Sequence, residues 1–242
     1  MSLVGKVALI TGAGGGIGRE IALALAREKV KIVLFGGKSV DKLNKTKQLI
    51  SEIGGECIIV AGNLTDDEFL RQGFNQVLEQ TGGIDILINN AGKALNCPVE
   101  STATEILDDI MNINFRAPYL LTQLALPTLL KSNRASIINV ASVVAHAGYP
   151  LQSAYTASKH ALLGFTKSLA QEVYDKGVRV HAISPGGVYT DMIKVSRPDL
   201  TDEGMIKPQD IADIVMFLLK NRGNAVIDEI LVHRINKTPF LV

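Results

Sequence analysis

Tryptophan is absent from this chain of 242 residues, and cysteine occurs only twice, as Cys57 and Cys97. Two cysteines provide neither a disulfide framework nor the ligand spacing of a metal site. An excess of one charge is also missing, because 25 basic residues stand against 24 acidic ones, for a formal net charge of +1. A nucleic-acid-binding protein usually carries a basic excess or a basic stripe. We therefore expect neither a bound metal nor a nucleic-acid partner.

Long hydrophobic runs are lacking as well. The most apolar stretch, YLLTQLALPTLL at residues 119–130, is interrupted by Thr, Gln and Pro. It falls short of the roughly 18 apolar residues that a membrane-spanning helix requires. A basic segment followed by an apolar leader, which would direct secretion, is not found at the N-terminus. With 47% hydrophobic residues, the chain is expected to be a globular cytoplasmic protein that has no contact with membranes.

The chain does contain a regular alternation of short runs rich in Val and Ile with longer stretches of helical periodicity. The pattern predicts strands at 6–10, 31–35, 57–62, 85–90, 136–142, 178–184 and 229–234, and helices at about 17–29, 40–53, 66–80, 104–131, 153–174 and 208–220. Near-continuous apolar strands that alternate with helices are typical of a parallel sheet buried on both faces. The expected fold class is α/β: residues 1–242 form a single-domain, Rossmann-type, doubly wound parallel sheet of about seven strands, with helices on both faces.

Five glycines stand in the eight residues TGAGGGIG, from Thr11 to Gly18, directly after the first predicted strand. Glycine weakens helices and strands alike, so this density needs a local cause. The stretch precedes a predicted helix, whose N-terminus offers free N–H groups and a partial positive charge to a phosphate. Its spacing, Gly12-xxx-Gly16-x-Gly18, is neither GxGxxG nor a P-loop. Two interpretations remain, a pyrophosphate site and a tight turn without a ligand.

Tyr155 and Lys159 are four residues apart in a predicted helix, so their side chains lie on one face. A tyrosine hydroxyl normally titrates at about pH 10, too high for easy proton transfer at neutral pH. Because a nearby ammonium group favours the phenolate, we expect Lys159 to lower the pKa of Tyr155. Tyr155 would then protonate a carbonyl oxygen, or deprotonate an alcohol in reverse. Ser142, at the end of a predicted strand, can donate a hydrogen bond to the same oxygen.

These motifs, in their order along the chain, resemble those of the short-chain dehydrogenase/reductase family. Residues 11–18 are similar to its TGxxxGxG cofactor turn, 89–92 to its NNAG motif, and 185–186 to its PG motif. The resemblance implies a catalytic set of Asn114, Ser142, Tyr155 and Lys159. It also implies that Lys159 binds the nicotinamide ribose and that Asn114 holds a water connecting Lys159 with solvent. The implied cofactor-binding residues are Gly12, Gly14, Gly15, Gly16, Ile17, Gly18, Lys38, Asn63, Leu64, Asn90, Ala91, Gly92, Tyr155, Lys159, Pro185, Gly186, Val188 and Thr190.

The residues after the second predicted strand bear on the choice of cofactor. An NAD-preferring site usually has an acidic residue here, and this chain has none before Asp41. Lys38 offers a positive charge to the 2′-phosphate of NADP, although the family usually uses Arg, and Lys is the less specific phosphate partner. Gly15 stands where some NADP-preferring relatives have a second basic residue, and Asn63 replaces the usual Asp on the adenine side. NADP(H) is favoured over NAD(H), and the alternative is that Lys38 is a solvated loop charge.

The resemblance implies a small carbonyl compound or secondary alcohol as substrate, in a pocket formed by residues 93–97, 143–152 and 187–197. The layout is similar to that of 3-oxoacyl-[acyl-carrier-protein] reductases, whereas steroid, sugar and xenobiotic carbonyl reductases share every motif. Those acyl reductases usually end in a glycine-rich strand and turn, but this chain ends in DEILVHRINKTPFLV. The short segment between Thr190 and Pro208 argues against a large lid. His146, in the pocket loop, is assigned no catalytic role.

Two other functional classes stay open. A catalytically silent NADP sensor or scaffold would use the same fold, but it would not need an intact catalytic set. An epimerase or dehydratase of the extended relatives would carry a GxxGxxG turn and a longer C-terminal domain, and this chain has neither. The family also commonly assembles into homodimers or homotetramers through its long helices and last strand, which the apolar helix predicted at 104–131 permits.

Overall fold

The computed structural model describes residues 2–196 and 201–238. The strands are β1 (Val7–Thr11), β2 (Lys31–Phe35), β3 (Cys57–Val60), β4 (Ile86–Asn89), β5 (Ser136–Val140), β6 (Arg179–Pro185) and β7 (Glu229–Val232). The α-helices are α1 (Gly16–Arg27), α2 (Val40–Glu52), α3 (Asp67–Thr81), α4 (Thr104–Met111), α5 (Ala117–Leu129), α6 (Ser153–Val173), α7 (Asp191–Ser196) and α8 (Pro208–Lys220). Within the described residues, no helix is both long enough and apolar enough to cross a bilayer.

All seven strands run parallel in one sheet, in the order β3-β2-β1-β4-β5-β6-β7. Side chains alternate between the two faces of a strand, so an all-apolar strand contributes to two cores. In β1, Ile10 joins a core with α1, α2 and α8, whereas Leu9 joins the opposite core with α3, α5 and α6. The predicted α/β fold with helices on both faces of a seven-stranded sheet is confirmed.

The order of the strands reverses between β1 and β4. From β1 the chain continues to β2 and β3 on one side, and from β4 it continues to β5, β6 and β7 on the other. Such a reversal leaves a crevice at the carboxyl ends of the two central strands, where α/β proteins bind ligands. Asn90, after β4, donates from Nδ2 to the carbonyl oxygen of Thr11 at 2.9 Å and so fixes the two loops that border this crevice.

Three local differences from the predicted boundaries concern the site. The helix predicted at 104–131 consists of α4, a π-helical turn at Asn112–Arg116, and α5. The strand predicted at 136–142 ends at Val140, so Ser142 lies in the loop beyond it. The segment between Thr190 and Pro208 contains α7, which no periodicity indicated. Residues 197–200, which include Arg197 of the predicted pocket, lie outside the described residues.

Candidate active site

A cleft of about 910 Å³ runs along the carboxyl ends of the strands, a volume at the upper end of the range usual for ligand pockets. Most predicted site residues line it: Gly12, Gly14, Gly15, Gly16, Ile17, Lys38, Leu64, Asn90, Ala91, Gly92, Ser142, Tyr155, Lys159, Pro185, Gly186, Val188 and Thr190. Three do not, namely Gly18, Asn63 and Asn114. The structure therefore brings the glycine turn, the NNAG and PG motifs and the tyrosine-lysine pair to one cavity.

Gly12 and Gly18 are needed because two loops approach each other closely. Gly12 has a φ of 69°, and a Cβ atom there would stand 2.8 Å from Cα of Ala91. A Cβ on Gly18 would stand 2.5 Å from Nδ2 of Asn90 and 2.6 Å from the carbonyl oxygen of Gly12. These conflicts lie within the protein, so both glycines serve to pack the turn against the NNAG loop. Gly18 lies behind the cleft, beneath the turn.

Gly15 has a different reason to be glycine. Its backbone is extended, with φ −176°, a conformation that any residue adopts. The nearest atom to a Cβ built there is Nη2 of Arg19, 3.9 Å away at the end of a flexible side chain. Packing among the described residues therefore does not demand glycine, yet Gly15 lines the cleft at the N-cap of α1. A Cβ would fill the space before the free N–H groups of α1, where a phosphate binds most favourably. The turn fits a dinucleotide.

Two glycines also end β2, with positive φ angles of 77° at Gly36 and 100° at Gly37. They lead the chain to Lys38, which is exposed and lines the cleft. Lys42, one turn into α2, lines the cleft as well, although no motif indicated it. Its Nζ lies 3.3 Å from Oδ2 of Asp191, with 59% and 77% of the two side chains exposed, so this ion pair adds little stability. Two lysines thus stand where a 2′-phosphate was predicted.

Ser142 and Tyr155 meet inside the cleft. Ser142 Oγ accepts a hydrogen bond from the amide of Val144 at 3.3 Å, which fixes the turn that follows β5. It donates to the carbonyl oxygen of Pro185 at 3.4 Å, which ties this turn to the end of β6. Tyr155, in the first turn of α6, lines the same cleft, and its hydroxyl is close enough to this serine for the serine to affect its pKa. Elements that follow β5 and β6 therefore converge on one pair of hydroxyl groups.

Burial dominates the electrostatics of the tyrosine-lysine pair. Desolvation raises the pKa of Tyr155 above its usual value, and the nearby hydroxyl of Ser142 acts in the opposite direction. Lys159 is 3% exposed, donates from Nζ to the carbonyl oxygen of Val140 at 2.8 Å, and has its pKa lowered by burial to about 8. The prediction that Lys159 lowers the pKa of Tyr155 is wrong in this structure, because the desolvation of both groups, which spacing cannot show, is the larger effect. A raised pKa keeps Tyr155 protonated at neutral pH.

Asn114 is fully buried within the π-helical turn, a feature that recurs at functional sites. Its Oδ1 accepts from the amide of Lys93 at 2.7 Å, and its Nδ2 donates to the Lys93 carbonyl at 2.8 Å and to Ser158 Oγ at 2.9 Å. Both amide hydrogens are therefore used within the protein. A Cβ on Gly92 would stand 3.3 Å from Asn114 Oδ1 and 3.6 Å from Lys159 Nζ, so glycine keeps the space between them open.

Asn63 turns away from the cleft. Its Oδ1 accepts from the amide of Thr65 at 3.3 Å and its Nδ2 donates to Thr65 Oγ1 at 2.8 Å, which are local turn interactions. Its neighbour Leu64 lines the cleft instead. Of the two residues expected on the adenine side, Leu64 lines the cleft and Asn63 does not.

His146 is held by the sheet. Its Nε2 lies 2.7 Å from Oε1 of Glu229 in β7, and Ser184 Oγ donates to the same carboxylate oxygen. His146 does not line the cleft, whereas its predicted neighbours Val143 and Val144 do. The histidine therefore joins the pocket loop to β7.

The C-terminal segment supplies cleft residues that the motifs did not indicate. His233, Arg234, Lys237 and Thr238, which follow β7, all line the cavity. The signal in the sequence was the departure of DEILVHRINK from the glycine-rich ending of similar reductases. The departure was visible, but its position next to the site was not.

Comparisons with known proteins agree with this geometry. A family model described as short chain dehydrogenase matches residues 6–201. The chain is 32% identical over 241 residues to the 3-oxoacyl-[acyl-carrier-protein] reductase FabG of Thermotoga maritima, a match that covers 96% of this chain and 97% of that protein.

Two solved structures are similar over nearly their whole length. One is a metagenomic short-chain oxidoreductase in complex with NADP, with 32% identity, a TM-score of 0.84, and coverage of 96% of this chain and 99% of that one. The other is an alcohol dehydrogenase from the archaeon Thermococcus sibiricus complexed with 5-hydroxy-NADP, with 28% identity, a TM-score of 0.87, and coverage of 97% and 98%. The chain therefore belongs to the short-chain dehydrogenase family and is an NAD(P)-dependent oxidoreductase that acts on carbonyl or alcohol groups.

Proposed function

We propose that residues 1–242 form one catalytic domain, an NADPH-dependent carbonyl reductase in which Tyr155 is the acid. The observation that carries this proposal is that Tyr155 and Ser142 line the same cleft, with Lys159 buried one helical turn from Tyr155. Protonated Tyr155 is the species that carbonyl reduction requires, and a phenol is protonated at neutral pH. A sensor without catalytic function would gain nothing from a half-buried acid beside a buried cation.

The reaction reduces a carbonyl group to a secondary alcohol. When bound, the nicotinamide cofactor supplies the hydride that reaches the carbonyl carbon. Ser142 and Tyr155 hold the carbonyl oxygen by donating hydrogen bonds to it, and these bonds strengthen as negative charge develops there. The phenolic proton of Tyr155 then passes to the oxygen and leaves a phenolate. The ammonium of Lys159, 5.9 Å from the ring centre, stabilises that phenolate, and the reverse direction oxidises an alcohol.

NADPH is the proposed cofactor because of the charges after β2. Lys38 lines the cleft, and no ion-pair partner is recorded for it among residues 2–196 and 201–238. Lys42 stands on the same side, and the segment between Phe35 and Val40 contains no carboxylate that would favour a free ribose hydroxyl. Lys159 is the proposed contact of the nicotinamide ribose, and Val188 and Thr190, which also line the cleft, are proposed further contacts of the cofactor.

Similarity to a 3-oxoacyl-[acyl-carrier-protein] reductase over 96% of the chain makes a 3-oxoacyl compound the first candidate substrate. The lining of the cleft also includes Val144, Tyr149 and Met192, which offer apolar contact without charge. Steroid, sugar and xenobiotic carbonyl compounds are the alternative substrates. Oxidation of NADPH and NADH, followed by absorbance, should be measured against acetoacetyl thioesters, diketones, steroids and sugars. Turnover with NADPH is the expected result, and binding of NADPH without turnover of any class would favour a sensor.

We also propose that the protein is a homodimer or homotetramer. Among the described residues β7 is an edge strand of the sheet, and edge strands are usually covered. Phe217 in α8 is 49% exposed, and Ile235, three residues beyond β7, is 92% exposed. On another surface, Tyr119 is 46% exposed and packs against Phe165, with ring centres 4.9 Å apart and ring planes tilted by 45°. Light scattering after size-exclusion chromatography tests this proposal: we expect a dimer or tetramer, and a stable monomer would contradict it.

A further inference from the structure

The segment that follows β7 places one arginine against the active site. Val232 is paired with Pro185 in the register of β6 and β7, and its carbonyl accepts from the Gly186 amide at 2.8 Å. Two residues beyond each strand end, Arg234 faces Gly187. Cδ of Arg234 lies 3.4 Å from where a Cβ on Gly187 would stand. The arginine stem therefore crosses the chain just beyond Pro185, the residue that accepts the hydrogen bond from Ser142.

The guanidinium of Arg234 has an unusually poor partner. Its Nη1 donates to the thioether sulfur of Met205 at 3.2 Å, and a thioether is a weak acceptor. In the part of the chain that the structure describes, no carboxylate forms an ion pair with Arg234. A guanidinium carries five N–H donors, and a half-buried one without an anion loses hydration without compensation. Arg234 lines the cleft, so donors remain for a ligand there.

Besides Lys159 in α6, the charges along the described lining of the cleft form two groups. Lys38 and Lys42 follow β2, whereas Arg234 and Lys237 follow β7, and Asp191, the acidic residue in that lining, is already paired with Lys42. Since neighbouring strands lie about 4.8 Å apart, the end of β7 is about 24 Å from the end of β2 but about 10 Å from that of β5. By this spacing, Arg234 follows a strand whose end is nearer to the strand before Ser142 than to the strand before Lys38.

We infer that Arg234 binds an anionic group, a carboxylate or a phosphate, on the substrate itself, a few carbon atoms from the carbonyl that is reduced. This inference rests on the proposed reductase function and narrows its substrate class. The planar guanidinium suits both anions, because it donates two parallel hydrogen bonds to either. Lys237, exposed at the mouth of the same cleft, adds positive charge along the route of entry.

Matched pairs of substrates test the inference. The carboxylate arm consists of acetoacetate, levulinate and 5-oxohexanoate, each beside its methyl ester, so that the spacer between the two groups varies. The phosphate arm consists of dihydroxyacetone phosphate beside dihydroxyacetone. Arg234→Met keeps the apolar stem and removes the charge, Arg234→Lys keeps the charge, and Arg27→Met, on the exposed surface of α1, is the control.

Wild-type protein is expected to have a higher kcat/KM for the anionic member of at least one pair. Arg234→Met should lower that value about ten- to a hundredfold and change the neutral member less than about twofold. Arg234→Lys should restore part of the loss, and Arg27→Met should match wild type. The arm that shows this pattern identifies the anion.

Three results would overturn the inference. They are no preference for the anionic substrate in either arm, an equal loss of kcat/KM for both members of a pair in Arg234→Met, or a larger dissociation constant for NADPH in that variant. Failure of the reductase function itself gives a different result. In that case no member of any pair is reduced by wild-type protein, or reduction persists in Tyr155→Phe.

Discussion

The ammonium nitrogen of Lys159 lies 5.9 Å from the centre of the Tyr155 ring and donates a hydrogen bond of 2.8 Å to the carbonyl oxygen of Val140. A lysine that is 3% exposed and makes one such bond is held in place at the expense of its hydration. Strain of this kind is typical of functional sites, where stability is given up for chemistry. The relationship between these two residues leads to the first prediction.

Lys159→Met is expected to stabilise the protein at pH 7. Burial lowers the pKa of Lys159 from 10.5 to about 8. Below pH 8 this shift reduces the unfolding free energy of the wild-type protein by about 3 kcal/mol. The Met variant also loses the hydrogen bond to Val140, which costs about 1 kcal/mol, so its unfolding free energy should exceed that of wild type by about 2 kcal/mol.

The stability difference between Lys159→Met and wild type should depend on pH. Because the folded pKa is lower than the unfolded one, the unfolded chain binds more protons between pH 8 and pH 10.5, and wild-type stability rises with pH in this window. The advantage of Lys159→Met should shrink accordingly. Urea unfolding at pH 7 and pH 9.5 measures both values, with exposed Lys167→Met on the same helix as control. A less stable Met variant at pH 7 would contradict this account of the lysine.

Two glycines of the TGAGGGIG turn are expected to respond differently to alanine. Gly15→Ala should fold normally, since its Cβ meets no atom closer than 3.9 Å, but its dissociation constant for NADPH should rise at least about tenfold. Gly18→Ala should lose about 1–3 kcal/mol of unfolding free energy, because its Cβ would stand 2.5 Å from Asn90 Nδ2. Thermal unfolding and NADPH fluorescence titration separate the two effects. Wild-type affinity in Gly15→Ala would show that no phosphate lies at the start of α1.

Lys38→Ala is expected to weaken the binding of NADPH about tenfold and that of NADH less than about twofold. The 2′-phosphate of NADPH loses a charge-assisted hydrogen bond, whereas the ribose hydroxyl of NADH does not make one. Lys45→Ala, exposed on α2 but away from the cleft, is the matched control. Lys42→Ala should be measured in parallel, since Lys42 lines the same end. Equal losses for the two nucleotides in Lys38→Ala would remove this residue from cofactor selection.

The sequence predicts well those features whose cause is local. Glycine density after an apolar strand marks the turn of Gly12 and Gly15, and four-residue spacing in a helix puts Tyr155 and Lys159 on one face. Both features depend on neighbours along the chain. The seven strands were predicted for the same reason, since apolar runs of strand length are visible without tertiary information.

Features that depend on distant packing were not predicted. The pKa of Tyr155 follows from desolvation in the assembled cleft, which reverses the effect expected from Lys159 alone. Arg234 reaches the site because the register of β7 against β6 sets it opposite Gly187. Helix α7 has six residues, too few for a helical period to be recognised.

The most direct test of the proposed mechanism is the turnover of Tyr155→Phe with NADPH and a carbonyl substrate that wild-type protein reduces. We expect kcat to fall by about a hundredfold or more while the dissociation constant for NADPH stays within about twofold, because the ring remains and only the transferable proton is removed. Tyr174→Phe, at a tyrosine that is 77% exposed, should behave as wild type. A kcat in Tyr155→Phe within about threefold of wild type would contradict the assignment of Tyr155 as the acid.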